Sequence, residues 1–227
     1  MARSKKTLII LSVAVLLLLC CFPLIISEHY MIVSLLIMGI SFVPFMYRFS
    51  KQKLTSRELV MLAILGAIAA VSRVPFASLP SVQPTTFVII AVAIVLGPQS
   101  GFVIGVLAAI VSNLFLGQGP WTPWQMYAWG MIGLTAGLLR NTLFMKHLLG
   151  RCVYGFGVGF LFGWFMNLWF VVSMINQISW TEILLYYSAS FYFDLAHALS
   201  NVFFLLLFSN AWIKIIKRFK TKYGLFE

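Results

Sequence analysis

The chain is dominated by long runs of apolar residues, which short and mostly basic segments separate. A helix needs roughly 20 largely apolar residues to cross a bilayer, and eight candidate stretches are present. Hydrophobic residues make up 62% of the 227 residues and charged residues only 9%. So few polar side chains cannot cover a water-facing surface, which excludes a soluble globular domain, and disorder would need far lower hydrophobicity. We therefore predict an all-α integral membrane protein.

The boundaries of the predicted spans follow from the ends of the apolar runs and from helix-capping signals. Pro98 suits a first helical turn, Thr122 before Pro123 reads as an N-cap, and Ser179 with Glu182 reads as a capping box. The fourth span has only 13 residues and is too short to cross a membrane alone. The eight spans are 8–27, 31–47, 58 to about 76, about 84–96, 98–116, 122–139, 152–175, and 179 to 213 or beyond.

Lys and Arg are unevenly distributed, and their positions predict the orientation. Cytoplasmic loops carry an excess of both residues. With the N-terminus in the cytoplasm, fifteen of the sixteen fall on cytoplasmic segments and only Arg73 lies towards the outside. We therefore predict a multi-pass protein with both termini cytoplasmic and no nucleic-acid partner. A cleaved signal peptide is an alternative for residues 8–27, but the run is long and lacks a clear A-x-A site, which favours a retained helix.

Motifs for nucleotide binding and covalent chemistry are missing from the sequence. It contains neither G-x-x-x-x-G-K-[ST] nor H-E-x-x-H. Ser190 and His197 lie seven residues apart on one helix, which is not a persuasive catalytic dyad. Asp194 is the single acid deep within a span, whereas many ion-coupled transporters use several. We predict neither an enzyme nor an ion-coupled pump, with no catalytic residues, cofactor or metal.

Residues 72–84 and 113–126 place unusual polar and aromatic side chains at the predicted outer ends of four spans. Residues 72–84 contain three prolines, and irregular backbone at membrane depth is tolerated where it lines a cavity. An aromatic belt at the membrane surface explains some of the tryptophans but not the interleaved Gln, Pro and Gly. We predict an outward-opening cavity for a large ligand that carries amides. Its candidate residues are Arg73, Gln83, Asn113, Gln118, Trp121, Trp124, Gln125 and Trp129.

The last span carries polar residues at helical spacing, on one face: Tyr187, Ser190, Asp194, His197 and Asn201. A charge inside a membrane must face protein or water, so Asp194 either pairs with Arg73 or His197 or contacts a ligand. Both alternatives remain open. Tyr187, Asp194 and His197 join the candidate binding residues, and Asn167 is a weaker candidate because a lone Asn often bonds a neighbouring helix.

Small residues at spacings of three or four mark three spans for close helix contacts. These residues are Ala63, Gly66 and Ala67; Gly101, Gly105 and Ala109; and Gly155, Gly159 and Gly163. Each stripe on its own most often indicates internal packing.

Residues 55–223 resemble the substrate-binding S component of energy-coupling factor (ECF) vitamin transporters. The stretches SRVPFASLPSVQPTTF and SNLFLGQGPWTPWQMYAWG most closely resemble the cobalamin-type S components. The resemblance implies a six-helix bundle over 55–227 in a bacterial cell membrane, and here two extra helices in 1–54 precede it. The loop over residues 75–84 is then expected to help close the site.

The resemblance also implies partners. An S component captures its vitamin outside and docks on a transmembrane coupling protein with two ATPases, which hydrolyse the ATP. Docking uses an A-x-x-x-A motif on the first family helix, which Ala63 and Ala67 match, with Gly66 between them. Cobalamin is a bulky corrinoid fringed with amides, so a mostly neutral cavity suits it better than an Arg cluster would. The alternatives are an S component for another vitamin or precursor, and an intramembrane enzyme or assembly factor.

Overall fold

The computed structural model describes residues 54–119, 121–174 and 177–226, together with the single residue Gly39. The two predicted spans at 8–27 and 31–47 lie outside the described residues, apart from Gly39. Within the described part, the chain consists of helices, turns and loops without strands. The helices are α1 Ser56–Val71, α2 Thr85–Leu96, α3 Pro98–Leu116, α4 Thr122–Leu139, α5 Leu143–Lys146, α6 Leu148–Ser173 and α7 Trp180–Tyr223, and a 3-10 turn, Val74–Phe76, follows α1.

Most of the predicted boundaries are confirmed by the structure. Helices α3 and α4 occupy the predicted residues, and α2 begins one residue later than expected. Helix α6 begins four residues before the predicted Cys152, and α7 continues for 44 residues to Tyr223. The capping box of α7 is present, because Ser179 and Glu182 exchange both of the hydrogen bonds that define it.

The predicted N-cap of α4 is wrong. Trp121 is the N-cap residue and makes no side-chain capping bond, while Thr122 is already the first helical residue. The Thr122 hydroxyl is engaged elsewhere: it accepts from the backbone of Gly119 at 3.2 Å and donates to Gln118 at 2.9 Å. Thr122 therefore ties down the preceding loop instead of capping the helix.

Helix α2 forms the centre of the bundle. It packs against α1, α3, α4 and α7. Eleven of its twelve residues are buried, and Ile89, Ile90 and Val92 are fully so. A helix that is apolar on all sides is stable only when other helices surround it. Helix α2 is therefore a buried element of the bundle. With twelve residues it is too short to cross a membrane on its own.

The other helices carry the surface expected in lipid. Among the described residues, four segments are long and apolar enough to cross a membrane, namely Ser56–Phe76, Pro98–Leu116, Leu148–Ser173 and Trp180–Tyr223. Large apolar side chains such as Ile64, Leu161 and Leu207 are more than half exposed. Such a surface would favour aggregation in water, whereas lipid tails solvate it. The fold is therefore that of an all-α, multi-pass membrane protein.

Close packing between helices uses the small residues that the sequence singled out. A Cβ atom added to Gly101 of α3 would collide with the backbone of Gly133 in α4. Similarly, a Cβ on Gly159 of α6 would lie 2.6 Å from the Cα atom of Ala198 in α7. Both stripes therefore bring backbones into contact inside the bundle.

Candidate ligand-binding site

A cavity of about 870 Å³ lies between the segment that links α1 to α2, the end of α3, the start of α4 and facing parts of α6 and α7. Its volume is near the upper end of the roughly 300–1,000 Å³ of small-molecule sites. Polar groups and apolar walls both contribute to the lining. The polar lining residues are Arg73, Ser81, Gln83, Gln125, Asn167, Ser190, Asp194 and His197.

Arg73 lines the cavity and connects the loop between α1 and α2 to α3. It caps the 3-10 turn after α1, and its Nε donates to Gln83 Oε1 at 2.8 Å. Its Nη1 donates to Ser112 Oγ at 2.6 Å and to Asn113 Oδ1 at 3.0 Å. A rigid guanidinium with several donors can hold the linking loop and α3 together in this way. The carbonyl oxygen of Gln83 accepts from Arg73, while its amide NH₂ group has no hydrogen-bond partner among the described residues.

Asn113 and Gln125 extend this arrangement. Asn113 is almost fully buried, and its Nδ2 donates to Gln125 Oε1 at 2.7 Å and to Thr122 Oγ1 at 3.1 Å. Gln125 lines the cavity, and its NH₂ group likewise has no partner within the described ranges of the chain. Asn113 itself is not a lining residue, so it acts as a support that orients Gln125 and Arg73.

Trp129 lies behind the cavity wall. The Arg73 guanidinium sits 4.9 Å from the centre of the Trp129 ring, which is within cation–π range. Trp129 donates from Nε1 to Thr86 Oγ1 at 3.2 Å, and Thr86 in turn bonds His197 Nε2 at 3.1 Å. The ring is fully buried and stacks on Phe162. Trp129 therefore supports Arg73 and, through Thr86, His197.

Four other predicted binding residues point away from the cavity. Trp124 is buried against Phe165, and Trp121 packs on Trp169, so both join α4 to α6. Gln118 donates to the backbone oxygen of Ile110. Tyr187 donates to the backbone oxygen of Trp164 at 3.0 Å. The sequence identified these four residues as candidates. It could not show that their side chains contact neighbouring helices or the backbone instead of lining the cavity.

Asp194 of α7 also lines the cavity. It is 95% buried, and Oδ2 accepts a hydrogen bond from Ser190 Oγ at 3.0 Å. Ser190 in turn accepts from Asn167 Nδ2 at 2.8 Å, across the contact between α6 and α7. Among the described residues, Asp194 pairs with neither Arg73 nor His197, and its one hydrogen-bond partner is Ser190. The polar face of α7 does not line the cavity along its whole length. Asn201 is fully buried and donates to the Gly155 backbone oxygen instead.

The apolar walls are the part of the site that sequence reasoning missed. Phe76, Leu79, Phe162, Met166, Tyr186 and Phe193 line the cavity. Nothing distinguishes such residues in a membrane helix from those that face lipid or a neighbouring helix. Their position between polar residues of the same cavity is a property of the tertiary structure only.

The predicted docking residues separate onto two faces of α1. Ala63 and Ala67 are exposed, next to the exposed Val60, Ile64 and Ile68. Gly66 is buried, and a Cβ there would lie 3.3 Å from Leu107 Cδ1 of α3. The exposed face continues into an apolar groove of about 1,040 Å³ against the C-terminal half of α7. Gly66 therefore packs against α3 inside the bundle. Ala63 and Ala67 place only small side chains on the exposed face of α1.

The fold and the cavity together define a multi-pass α-helical membrane protein with a cavity of the size of a small-molecule site. Residues 57–219 match the family model described as "ECF transporter, substrate-specific component". The chain belongs to this family, and the role of the family is that of a transporter subunit.

Curated relatives match over a shorter stretch. A UPF0397 protein from Aliivibrio fischeri (strain MJ11) is 28% identical over 90 residues, which are 37% of this chain and 49% of the relative. A UPF0397 protein from Vibrio atlanticus (strain LGP32) is 27% identical over 89 residues, with 37% and 48% coverage. The chain thus spans about half the length of the curated relatives it matches. No solved structure matches significantly.

Proposed function

We propose that this protein is the substrate-capture subunit of an ATP-driven vitamin importer and that its ligand is cobalamin or a related corrinoid. The observation that carries the proposal is the cavity of about 870 Å³, in which amide groups and apolar walls face one another. A corrinoid offers large apolar faces and a fringe of carboxamides. The resemblance of residues 72–87 and 112–130 to cobalamin-type S components supports the same ligand.

The cavity has a donor side and an acceptor side. Arg73 and Asn113 occupy the carbonyl oxygens of Gln83 and Gln125, and no described residue accepts from the NH₂ groups of these two glutamines. Asn167 uses its Nδ2 for Ser190, which also contacts Asp194, and its carbonyl oxygen has no partner among the residues that the structure describes. Carboxamides both donate and accept, so a ligand with several of them can satisfy both sides at once.

Delivery of the ligand requires partners. We propose that the chain docks on a transmembrane coupling protein that carries two ATPases, with the cavity facing outwards during capture and both termini in the cytoplasm. The exposed Ala63 and Ala67 supply the surface for docking, because small side chains allow two helices to approach closely. ATP is used by the partners, and this chain needs no cofactor of its own.

A binding experiment tests the proposed ligand. The protein is purified from cells grown with cyanocobalamin, its visible absorption spectrum is recorded, and ligand-free protein is titrated with cyanocobalamin. We expect a corrinoid spectrum at close to one ligand per chain. A colourless protein that shows no affinity in the titration would contradict the proposed ligand.

Two variants of α7 serve as a matched pair in this experiment. Ala189 lines the cavity, whereas Leu199 is 53% exposed on the outer surface. Ala189→Trp is expected to fill the cavity and abolish binding, because the added ring occupies space that the ligand needs. Leu199→Trp adds a similar ring outside the cavity and should bind cyanocobalamin like the unmodified protein.

A further inference from the structure

Asp194 lines the cavity, and one oxygen of its carboxylate has no hydrogen-bond partner in the part of the chain that the structure describes. Ser190 contacts Oδ2, while Oδ1 has no hydrogen-bond partner among the described residues. The Ser190 hydroxyl carries one hydrogen and lies equally close, 3.0 Å, to the backbone oxygen of Tyr187. From the described residues Asp194 therefore receives at most one shared hydrogen bond, which is little for a buried carboxylate.

The neighbouring helix is shaped around this carboxylate. Gly163 of α6 also lines the cavity, and a Cβ atom added there would lie 2.6 Å from Asp194 Cγ and overlap Oδ1. Any other residue at position 163 would therefore displace the carboxylate. Asn167, one turn further along α6, contributes a second acceptor, because its Nδ2 is bound to the same Ser190 hydroxyl that contacts Asp194.

We infer that Asp194 and Asn167 form an acceptor subsite, fitted around Gly163, that selects ligands presenting N–H donors and rejects those presenting a carboxylate at the same position. The inference rests on the proposed function, since the donor group is taken to be a primary carboxamide of a corrinoid. The two hydrogens of a carboxamide NH₂ match the two free acceptors, Asp194 Oδ1 and Asn167 Oδ1. A carboxylic acid at that point would bring a second negative charge against Asp194 and would leave the acceptors unpaired.

The test compares cyanocobalamin with derivatives in which one peripheral carboxamide has been hydrolysed to the acid, each positional isomer being titrated separately. We expect the unmodified protein to bind at least one isomer about tenfold or more weakly than cyanocobalamin, because like charges oppose each other at the subsite. In Asp194→Asn the same isomer should come within about threefold of cyanocobalamin, since an asparagine can donate to the acid. Equal affinity of the unmodified protein for cyanocobalamin and all isomers would overturn the inference.

Gly163→Ala provides a second route that keeps the charge. The added methyl group displaces the carboxylate, so this variant should also lose discrimination between amide and acid. Gly157→Ala is the matched control on the same helix, because a Cβ there meets nothing within 4 Å, and it should discriminate like the unmodified protein. A purely structural role for Asp194 predicts lower thermal stability with the discrimination unchanged, and this outcome would also overturn the inference.

The two proposals fail in different ways. If the unmodified protein binds no cyanocobalamin, the proposed ligand falls and the subsite assignment falls with it. If it binds cyanocobalamin and every acid isomer equally, the proposed ligand stands and only the selectivity of Asp194 is refuted.

Discussion

At the scale of single residues, the site depends on charged groups whose partners are neutral. Arg73 donates to the oxygens of Gln83, Ser112 and Asn113, all of them uncharged. Within the described part of the chain, Asp194 receives only the shared hydrogen of Ser190. Arg73 and Asp194 do not form an ion pair among the described residues. Each charge can therefore orient the polar groups of the cavity that lie near it.

Replacement of Arg73 tests this role. Lysine keeps the charge but cannot reproduce the planar guanidinium that reaches the linking loop and α3 at once. We expect Arg73→Lys to weaken cyanocobalamin binding by about tenfold or more, since hydrogen bonds from charged donors each contribute roughly 1.5–3 kcal/mol. Isothermal titration measures the change. Arg218→Lys, on an exposed position of α7, is the matched control, and affinities within twofold of each other in the two variants would contradict the prediction.

At the scale of helices, the length of each element is explained by what surrounds it. Helix α2 can be short because four helices enclose it, and α7 can be long because much of it faces outwards. The start of α7 is set by its capping box: Ser179 N donates to Glu182 Oε2 at 2.7 Å, and Glu182 N donates to Ser179 Oγ at 3.3 Å. This start is important for the site, because it determines which residues of α7 reach the cavity.

Removal of the cap tests that contribution. Ser179→Ala deletes the hydroxyl that accepts from the Glu182 backbone, and loss of an N-cap costs about 1 kcal/mol. For a chain of this size the thermal unfolding midpoint in detergent should fall by roughly 2–4 °C. Ser188→Ala is the control within the same helix, where the hydroxyl bonds only the Leu184 backbone oxygen. A midpoint for Ser179→Ala equal to that of Ser188→Ala would show that the cap is dispensable.

At the scale of the whole molecule, the cavity and the exposed face of α1 are separate surfaces. The cavity is lined by the loop after α1 and by parts of α3, α4, α6 and α7, whereas the exposed face of α1 borders a different, apolar groove. Ligand binding and partner docking should therefore be separable by mutation.

Large residues on the outer face of α1 test this separation. Ala63→Trp and Ala67→Trp are expected to abolish uptake of labelled cobalamin in cells that contain the coupling protein and ATPases, because the added rings prevent close approach of a partner helix. Titration of the purified variants should show unchanged ligand affinity. Leu199→Trp on α7 is the surface control and should retain uptake. Normal uptake in both alanine variants would refute a docking role for this face.

Features that depend on neighbouring residues in the chain could be predicted from the sequence, whereas features that depend on distant segments could not. Pro98, the Ser179 capping box and the apolar runs act through neighbours in the chain, so the limits of α3 and the start of α7 were predictable. Thr122 had the same local signal for an N-cap, yet its hydroxyl bonds Gln118 and the Gly119 backbone in the preceding loop. Trp121 and Trp124 were predicted to bind ligand because they lie near Gln125, but their rings pack against α6.

The sequence by itself determined that this protein is an α-helical membrane protein of the S-component family, since apolar length and family motifs are properties of the linear chain. Only the tertiary structure decided which polar residues line the cavity, that Gly66 faces inwards while Ala63 and Ala67 face out, and that Asp194 stands apart from Arg73. The physical reason is that a helix presents its side chains in all directions. Which direction leads to a cavity, to lipid or to another helix depends on the packing of segments that are far apart in the chain.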